Sequence, residues 1–218
     1  MQIKAVLFDI DGTLVDSNEL HISAWDEVFR AAGYQFDRAT LHRHIGKGGD
    51  NYVPALLPDA GEDEQDRLRE AHKQLFTGTY ISQVKAFPHA RELLARVGES
   101  GRKVVLASSA SGEELEAHVE TIGADGLIDE TTSKDDVEAS KPCPDVFEAA
   151  LRSAGVAPDE AVVVGDTPYD IEAARRAGIE TVAVRSGGFP DEALSGAVAV
   201  YDDVAALLGD FDASPLNR

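Results

Sequence analysis

The sequence predicts an α/β protein: a doubly wound parallel sheet, with a small α-helical domain inserted after the first strand. Three observations predict it. Short, Val-rich apolar runs recur along the chain without polar alternation, which marks strands buried on both faces. Amphipathic segments with helix start and stop signals lie between them, as strand–helix–strand crossovers require. The stretch 16–84 breaks the alternation, with helical periodicity and no convincing strand.

IKAVLF (residues 3–8) reads as the first strand. DSNELHISAWDEVFRAAG then spaces Leu20, Ala24, Trp25, Val28, Phe29 and Ala32 on one helical face, with Gly33 as the stop. HIGKGGDNYVPALLP carries a glycine-rich turn, and DEQDRLREAHKQLFTGTYISQ reads as a second long helix. The expected division is therefore a core of residues 1–15 and 85–218, with a helical domain at 16–84. In the core, Pro88 is expected to open PHARELLARV, followed by the strand KVVLAS (103–108). Ser111 and Glu114 form a capping box ahead of Leu115, Val119 and Ile122, and Gly123 closes that helix. GLID (126–129) carries the strand signal more weakly. Pro144 opens a helix with Val146, Phe147, Ala150, Leu151 and Ala154 on one face. AVVVGD (161–166) is a strand, Thr167-Pro168 caps the helix YDIEAARRAG, and TVAV (181–184) is a further strand. AVAVYD (197–202) is a weaker one, and the tail DASPLNR is expected to fray.

Composition narrows the function. Forty acidic against 20 basic residues give a net charge of −20, which argues against a nucleic-acid backbone or an anionic membrane as the main partner. The single Cys143 excludes an intramolecular disulfide and fits a reducing compartment. No signal-peptide pattern and no apolar run near the ~20 residues of a membrane helix is present, so a cytoplasmic protein, monomeric or weakly dimeric, is expected.

Four motifs fall at predicted strand ends, where open α/β sheets bind ligands. In Asp9-Ile10-Asp11-Gly12-Thr13, Gly12 permits a sharp turn that presents two carboxylates to the crevice. Neighbouring carboxylates are costly unless a cation lies between them or one holds a proton. Ser108-Ser109 can donate to a phosphate oxygen, although serines after a strand more often serve as loop residues or caps. Lys141 sits in SKPCPD, where Pro142 and Pro144 stiffen a loop that aims a point charge suited to a dianion. Asp166 ends a strand, and Asp170 lies one turn into the next helix; the hard oxygens of this acidic set suit Mg²⁺. Dipole complementation at the helix N-terminus accounts for Asp170 better than for Asp166.

In this order and on this scaffold, the four motifs resemble the haloacid dehalogenase superfamily of phosphatases and phosphotransferases, over essentially the whole chain. The resemblance implies a Rossmann-like core with a helical cap of the first subclass, similar to the caps of phosphoglycolate phosphatases and β-phosphoglucomutase. It further implies Asp9 as nucleophile and Mg²⁺ ligand, and Asp11 as general acid/base with its backbone carbonyl on the metal. Ser108, with Ser109 beside it, would bind phosphate; Lys141 would steady Asp9 and the phosphoryl group; Asp166 and Asp170 would complete the metal site. An acid at Asp11 favours a phosphate ester over a carbon–halogen bond.

The expected activity is hydrolysis of small phosphate monoesters, phosphoglycolate or a sugar phosphate, through an aspartyl-phosphate. A phosphomutase is the alternative, and a non-catalytic phospho-acceptor or metabolite-binding module the second. His21 and Trp25 are similar to the mutase, whereas IGKGGDNY (45–52) lacks the arginine that the mutase places in this loop. Lys47 is either a contact for an anionic group or a solvated side chain. Gly48 belongs to a loop expected to face the site and sort substrates. His21 divides between a hinge role and a half-buried helix position, and Lys73 has no assigned role.

Overall fold

The computed structural model describes residues 2–218. Strands are β1 (Ala5–Phe8), β2 (Val15–Asp16), β3 (Lys85–Ala86), β4 (Lys103–Ala107), β5 (Glu130–Thr132), β6 (Ala161–Gly165), β7 (Glu180–Val184) and β8 (Ala199–Tyr201). Helices are α1 (Asn18–Ala31), α2 (Arg38–Arg43), α3 (Gly49–Leu56), α4 (Glu62–Leu75), α5 (Ala90–Glu99), α6 (Gly112–Ile122), α7 (Asp145–Ala154), α8 (Pro168–Arg176) and α9 (Val204–Gly209).

Six strands form one parallel sheet in the order β5-β4-β1-β6-β7-β8. Alternation along each strand divides its residues between two layers. Val6 and Phe8 join Val104, Leu106, Val162 and Val164 beneath α5, α6 and α9. Ala5 and Leu7 join Val105, Val163 and the α7–α8 residues Phe147, Ala150, Ala173 and Ala174 on the other face. Both faces are therefore covered, which is why these strands read as continuous apolar runs. The chain leaves β1 toward β4 and β5, then returns to β6 on the other side. The crevice at this switch point opens at the carboxyl ends of β1 and β6.

The helices between β2 and β3 have a core of their own, built on Ile22, Trp25, Phe29, Leu41, Tyr52, Val53 and Leu68. β2 and β3 pair antiparallel, Val15 with Ala86 and Asp16 with Lys85, so the insert's entry and exit lie side by side. After α4 the chain widens into a π-helical turn over Phe76–Tyr80 and a 3₁₀ turn over Ile81–Gln83. The glycine-rich stretch starts α3, a short helix that the sequence did not announce.

Three expectations are corrected. The strand after α6 is Glu130–Thr132; Gly126 has φ +76°, which no strand accommodates, and the ladder begins only where the Asp129 N–H reaches the Val104 carbonyl at 2.9 Å. The helix after β3 opens at Ala90, because His89 stands at φ 65° in the left-handed region. The tail does not fray: Leu216 is wholly buried in the core, Ser214 caps the last turn, and the Ile3 N–H donates to the Arg218 carbonyl at 2.9 Å. Leu216→Ala is expected to cost about 2–5 kcal/mol, the range for emptying a core leucine site. A frayed tail would leave the thermal midpoint unchanged.

Candidate active site

Asp9 is the first residue past β1, and its N–H still donates to the Val164 carbonyl at 2.9 Å. Its buried carboxylate accepts from Lys141 Nζ through Oδ1, while Oδ2 has only a 3.4 Å contact from Thr13 Oγ1. Gly12 then turns the chain at φ +77°; a Cβ there would lie 2.2 Å from Asp166 Oδ2 and 2.3 Å from Asn18 Nδ2. Only glycine satisfies both the dihedral and the space.

Asp166 is fully buried past β6, and its carboxylate accepts from neutral donors alone, Thr13 Oγ1 at 2.9 Å and Asn18 Nδ2 at 3.0 Å. Asp170 divides its oxygens. Oδ2 accepts from the Thr167 N–H (3.0 Å) and Oγ1 (2.6 Å) in a capping box, and Oδ1 lies 2.8 Å from Lys141 Nζ. Lys141 is itself buried, its Nζ also donating to the Ala107 carbonyl at 3.1 Å. Ligand oxygens of Asp9, Asp166 and Asp170 lie within 4.8 Å of one another, a buried acidic triad fit for a divalent cation.

Burial pushes the Asp9 carboxyl up to about 7, with Lys141 opposing and Asp170 and Asp11 adding to the rise. Burial and the neighbouring carboxylates Asp170 and Asp9 hold Asp166 well above the usual range. Lys141 moves upward because Asp170 and Asp9 outweigh its burial. Three carboxylates face one ammonium, so the pocket lacks positive charge.

Asp11 has the opposite surroundings. Its Oδ1 accepts from Ser17 Oγ at 2.6 Å and lies 3.2 Å from His21 Nε2 and 3.3 Å from His118 Nε2. Burial alone would raise its pKa, but the two histidines hold it well below the usual carboxylate range. Asp9 and Asp11 line one cavity of about 500 Å³, with Asn18, His21, Lys47, Gly48, Lys73, Ser109 and Arg69 among its other walls.

The serines divide unexpectedly. Ser108 is buried and its Oγ accepts the Ala110 N–H at 3.0 Å, whereas Ser109 Oγ is buried at the cavity wall with no hydrogen-bond partner among the described residues. Lys47 Nζ lies 3.1 Å from His44 Nδ1 and 4.8 Å from the ring centre of Tyr169 in α8. Gly48 packs directly on Ser140.

The sequence profile of the haloacid dehalogenase-like hydrolases matches residues 6–184. The chain belongs to this family. It is 31% identical over 219 residues to the phosphoglycolate phosphatase of Rhodospirillum rubrum, covering 95% of this chain and 90% of that one. It is also 31% identical to the glyceraldehyde 3-phosphate phosphatase of Methanopyrus kandleri, over 87% of each chain. The crystal structure of a hydrolase from Pseudomonas syringae superimposes with a TM-score of 0.90 at 32% identity, over 96% of this chain and 98% of that one. Membership and the parallel α/β core are as the sequence predicts. Phosphatases of this family generally use a divalent metal, which accords with the acidic triad. Among the described residues, no helix is long and apolar enough to cross a membrane.

Sequence reasoning named His21 but missed the two other histidines of this haloacid dehalogenase-like site. His118 is fully buried beside Asp11, 107 positions away in sequence, and only the helical register of α6 hints that it faces inward. His72 is pressed between Trp25 and His21, its ring 3.9 Å from the indole and its Nε2 3.4 Å from His21 Nδ1. Burial and His21 hold His72 neutral, well below the usual range.

Proposed function

We propose that this chain is a Mg²⁺-dependent phosphatase of small phosphorylated metabolites, working through an aspartyl-phosphate on Asp9 beneath a helical cap formed by residues 16–84. The observation that carries the reading is the convergence, at the carboxyl ends of β1 and β6, of a carboxylate–lysine pair, a buried acidic triad and a second carboxylate. Asp9 is buried against a lysine, and Asp11 is held by histidines and a serine. The proton store is the histidine beside Asp11: the burial of His118 is outweighed by the Asp11 carboxylate, which raises it above the ordinary imidazole range.

Asp9 attacks phosphorus, forming an O–P bond as the ester P–O bond breaks. The leaving alkoxide takes a proton through Asp11, drawn from the protonated His118 beside it, and Asp11 with His118 then takes up a proton from the water that attacks the phospho-aspartate and releases phosphate. Lys141 and the Ser109 hydroxyl face the equatorial phosphoryl oxygens. Mg²⁺ would be held by Asp9, Asp166 and the Asp11 backbone carbonyl, and when bound it supplies the missing positive charge. Asp170 completes the acidic set around that cation and also steadies Lys141, with one oxygen on that ammonium and the other in its own helix cap.

A screen of small phosphate esters, read by released phosphate, tests the reading. A hexose phosphate converted to its isomer without phosphate release would establish a mutase instead. No turnover of any ester, a generic aryl phosphate included, would leave a binding module. Two relatives at 31% identity named for different substrates show that overall similarity does not choose the ester.

The role of Asp11 predicts a dependence on the leaving group. Asp11→Asn should slow an alkyl phosphate by about 10²–10⁴-fold, the span of general acid–base catalysis. Formation of the phospho-enzyme from dinitrophenyl phosphate, whose leaving group needs no proton, should change by less than about tenfold. His118→Leu should show the same pattern at smaller amplitude. Equal losses on both esters would take Asp11 out of the proton-transfer role.

A further inference from the structure

The motif GKGGDN (residues 46–51) has no part in the chemistry above, yet it is where the insert presses on the loop that carries Lys141. Asp50 and Asn51 occupy the first turn of α3, where an acidic or amide side chain usually serves its own helix. Here both reach across to a segment about 90 residues away in sequence. Asp50 Oδ2 accepts the Ser140 N–H at 3.0 Å, and Asn51 Nδ2 donates to the Ser140 carbonyl at 2.9 Å and more weakly to the Lys141 carbonyl at 3.4 Å. Lys134 Nζ stands 3.5 Å from the same Asp50 oxygen. The approach depends on Gly48, since a Cβ there would lie 2.2 Å from Ser140 Oγ.

We propose that Asp50 and Asn51 are positioning residues for Lys141, so that seating of α3 on residues 140–141 and alignment of the lysine with Asp9 are one event. The proposal rests on the reading of Lys141 and Asp9 as the reacting pair. Residues 140–141 lie in neither strand nor helix, between β5 and α7. Backbone polar groups outside regular structure need partners from elsewhere. The insert supplies them on both sides of Ser140; from the core, Cys143 N–H shares the Ser140 carbonyl at 3.0 Å. Lys141 Nζ is then drawn down between Asp9, Asp170 and the Ala107 carbonyl. A backbone displacement of about 1 Å at residue 140 is enough to break such an arrangement, and misplacement of that size commonly costs about a hundredfold in rate. With α3 lifted, Asp9 faces solvent without its lysine; with α3 seated, cavity closure and activation of the nucleophile coincide.

The test compares Asn51→Ala, the double variant D50A/N51A, and Gly48→Ala, which keeps every donor and acceptor but wedges the contact apart. Two readouts are taken on the full chain. The first is turnover of a generic aryl phosphate with Mg²⁺. kcat should fall about tenfold or more in each variant with KM within about twofold, since the lost element acts on the reacting pair. Asp50→Asn, which retains an acceptor for the Ser140 N–H, should keep most of the turnover.

The second readout needs no activity: labelling of lysines by an amine-reactive acylating reagent, quantified peptide by peptide. Lys141, 1% exposed, should be protected in the parent and labelled at least about tenfold faster in the variants, relative to the exposed Lys4. Protected Lys141 in folded D50A/N51A and Gly48→Ala overturns the proposal, as does an unchanged kcat in both. Should D50A/N51A fail to fold by circular dichroism, Asn51→Ala and Gly48→Ala decide. A parent that turns over no phosphate ester refutes the phosphatase reading, while the labelling contrast still decides whether α3 holds Lys141 in place.

Discussion

Asp9→Asn is expected to lose about six powers of ten in turnover, the scale reached when a covalent nucleophile is removed. Size and shape are retained, so the fold should persist. Lys141 keeps two of its three partners, the Asp170 carboxylate and the Ala107 carbonyl. The variant also relieves the pocket of one buried carboxylate that burial already opposes. Unfolding followed by circular dichroism should show a midpoint close to the parent's. Acid-quenched reactions should yield an acyl phosphate on the parent peptide that contains Asp9, sensitive to hydroxylamine, and none on the variant. Activity above about one per cent of the parent would assign the nucleophile elsewhere.

That such a prediction can be made from the chain at all reflects where the chemistry lies. Asp9, Ser108 and Asp166 each directly follow a buried apolar run, so strand periodicity and a single polar step mark them. Gly12 is legible for a related reason: a glycine between two acids and a threonine has few structural explanations, and the structure shows Asp166 and Asn18 filling the space of its missing side chain. His118 and His72 were not legible. Each occupies an inward position on an amphipathic helix, a pattern equally suited to an inert core histidine, and the contact with Asp11 or His21 exists only after folding. The GKGGDN stretch lines the cavity through Gly46, Lys47, Gly48, Gly49 and Asp50, as a loop facing the site should, but nothing local shows that Gly48 must also admit Ser140. The tail misled because a short, polar heptapeptide with one leucine carries no periodicity, yet that leucine fills a place in the main core. Local signals reveal what a residue does for its own element, and long-range contacts between small or singly apolar residues leave no such trace.

Metal removal should have the second large effect, and charge accounting gives its direction. Among the described residues, Asp9, Asp166 and Asp170 are opposed by Lys141 alone, leaving about two negative charges uncompensated in a buried volume. Asp166 bears most of this, since only a hydroxyl and an amide donate to it. A chelator should therefore reduce turnover to background, and Mg²⁺ should restore it. The same charges govern stability without metal. The Asp9 carboxyl is raised to about 7 and Asp166 is held well above its ordinary range, so both bind protons more tightly folded than unfolded. Their contribution is complete below the ordinary carboxylate value near 3.9 and is lost as pH climbs through the folded value. The metal-free protein should consequently melt lower at pH 8 than at pH 5.5, and the upward shift of the midpoint on adding Mg²⁺ should be larger at pH 8. Asp166→Asn removes the least compensated charge, so at pH 8 the metal-free variant should melt higher than the metal-free parent and gain little from Mg²⁺. A parent that keeps full turnover in excess chelator, or an Asp166→Asn variant that melts lower and still gains the parent's full Mg²⁺ shift, would mean that the triad is held by its hydrogen bonds alone and holds no cation.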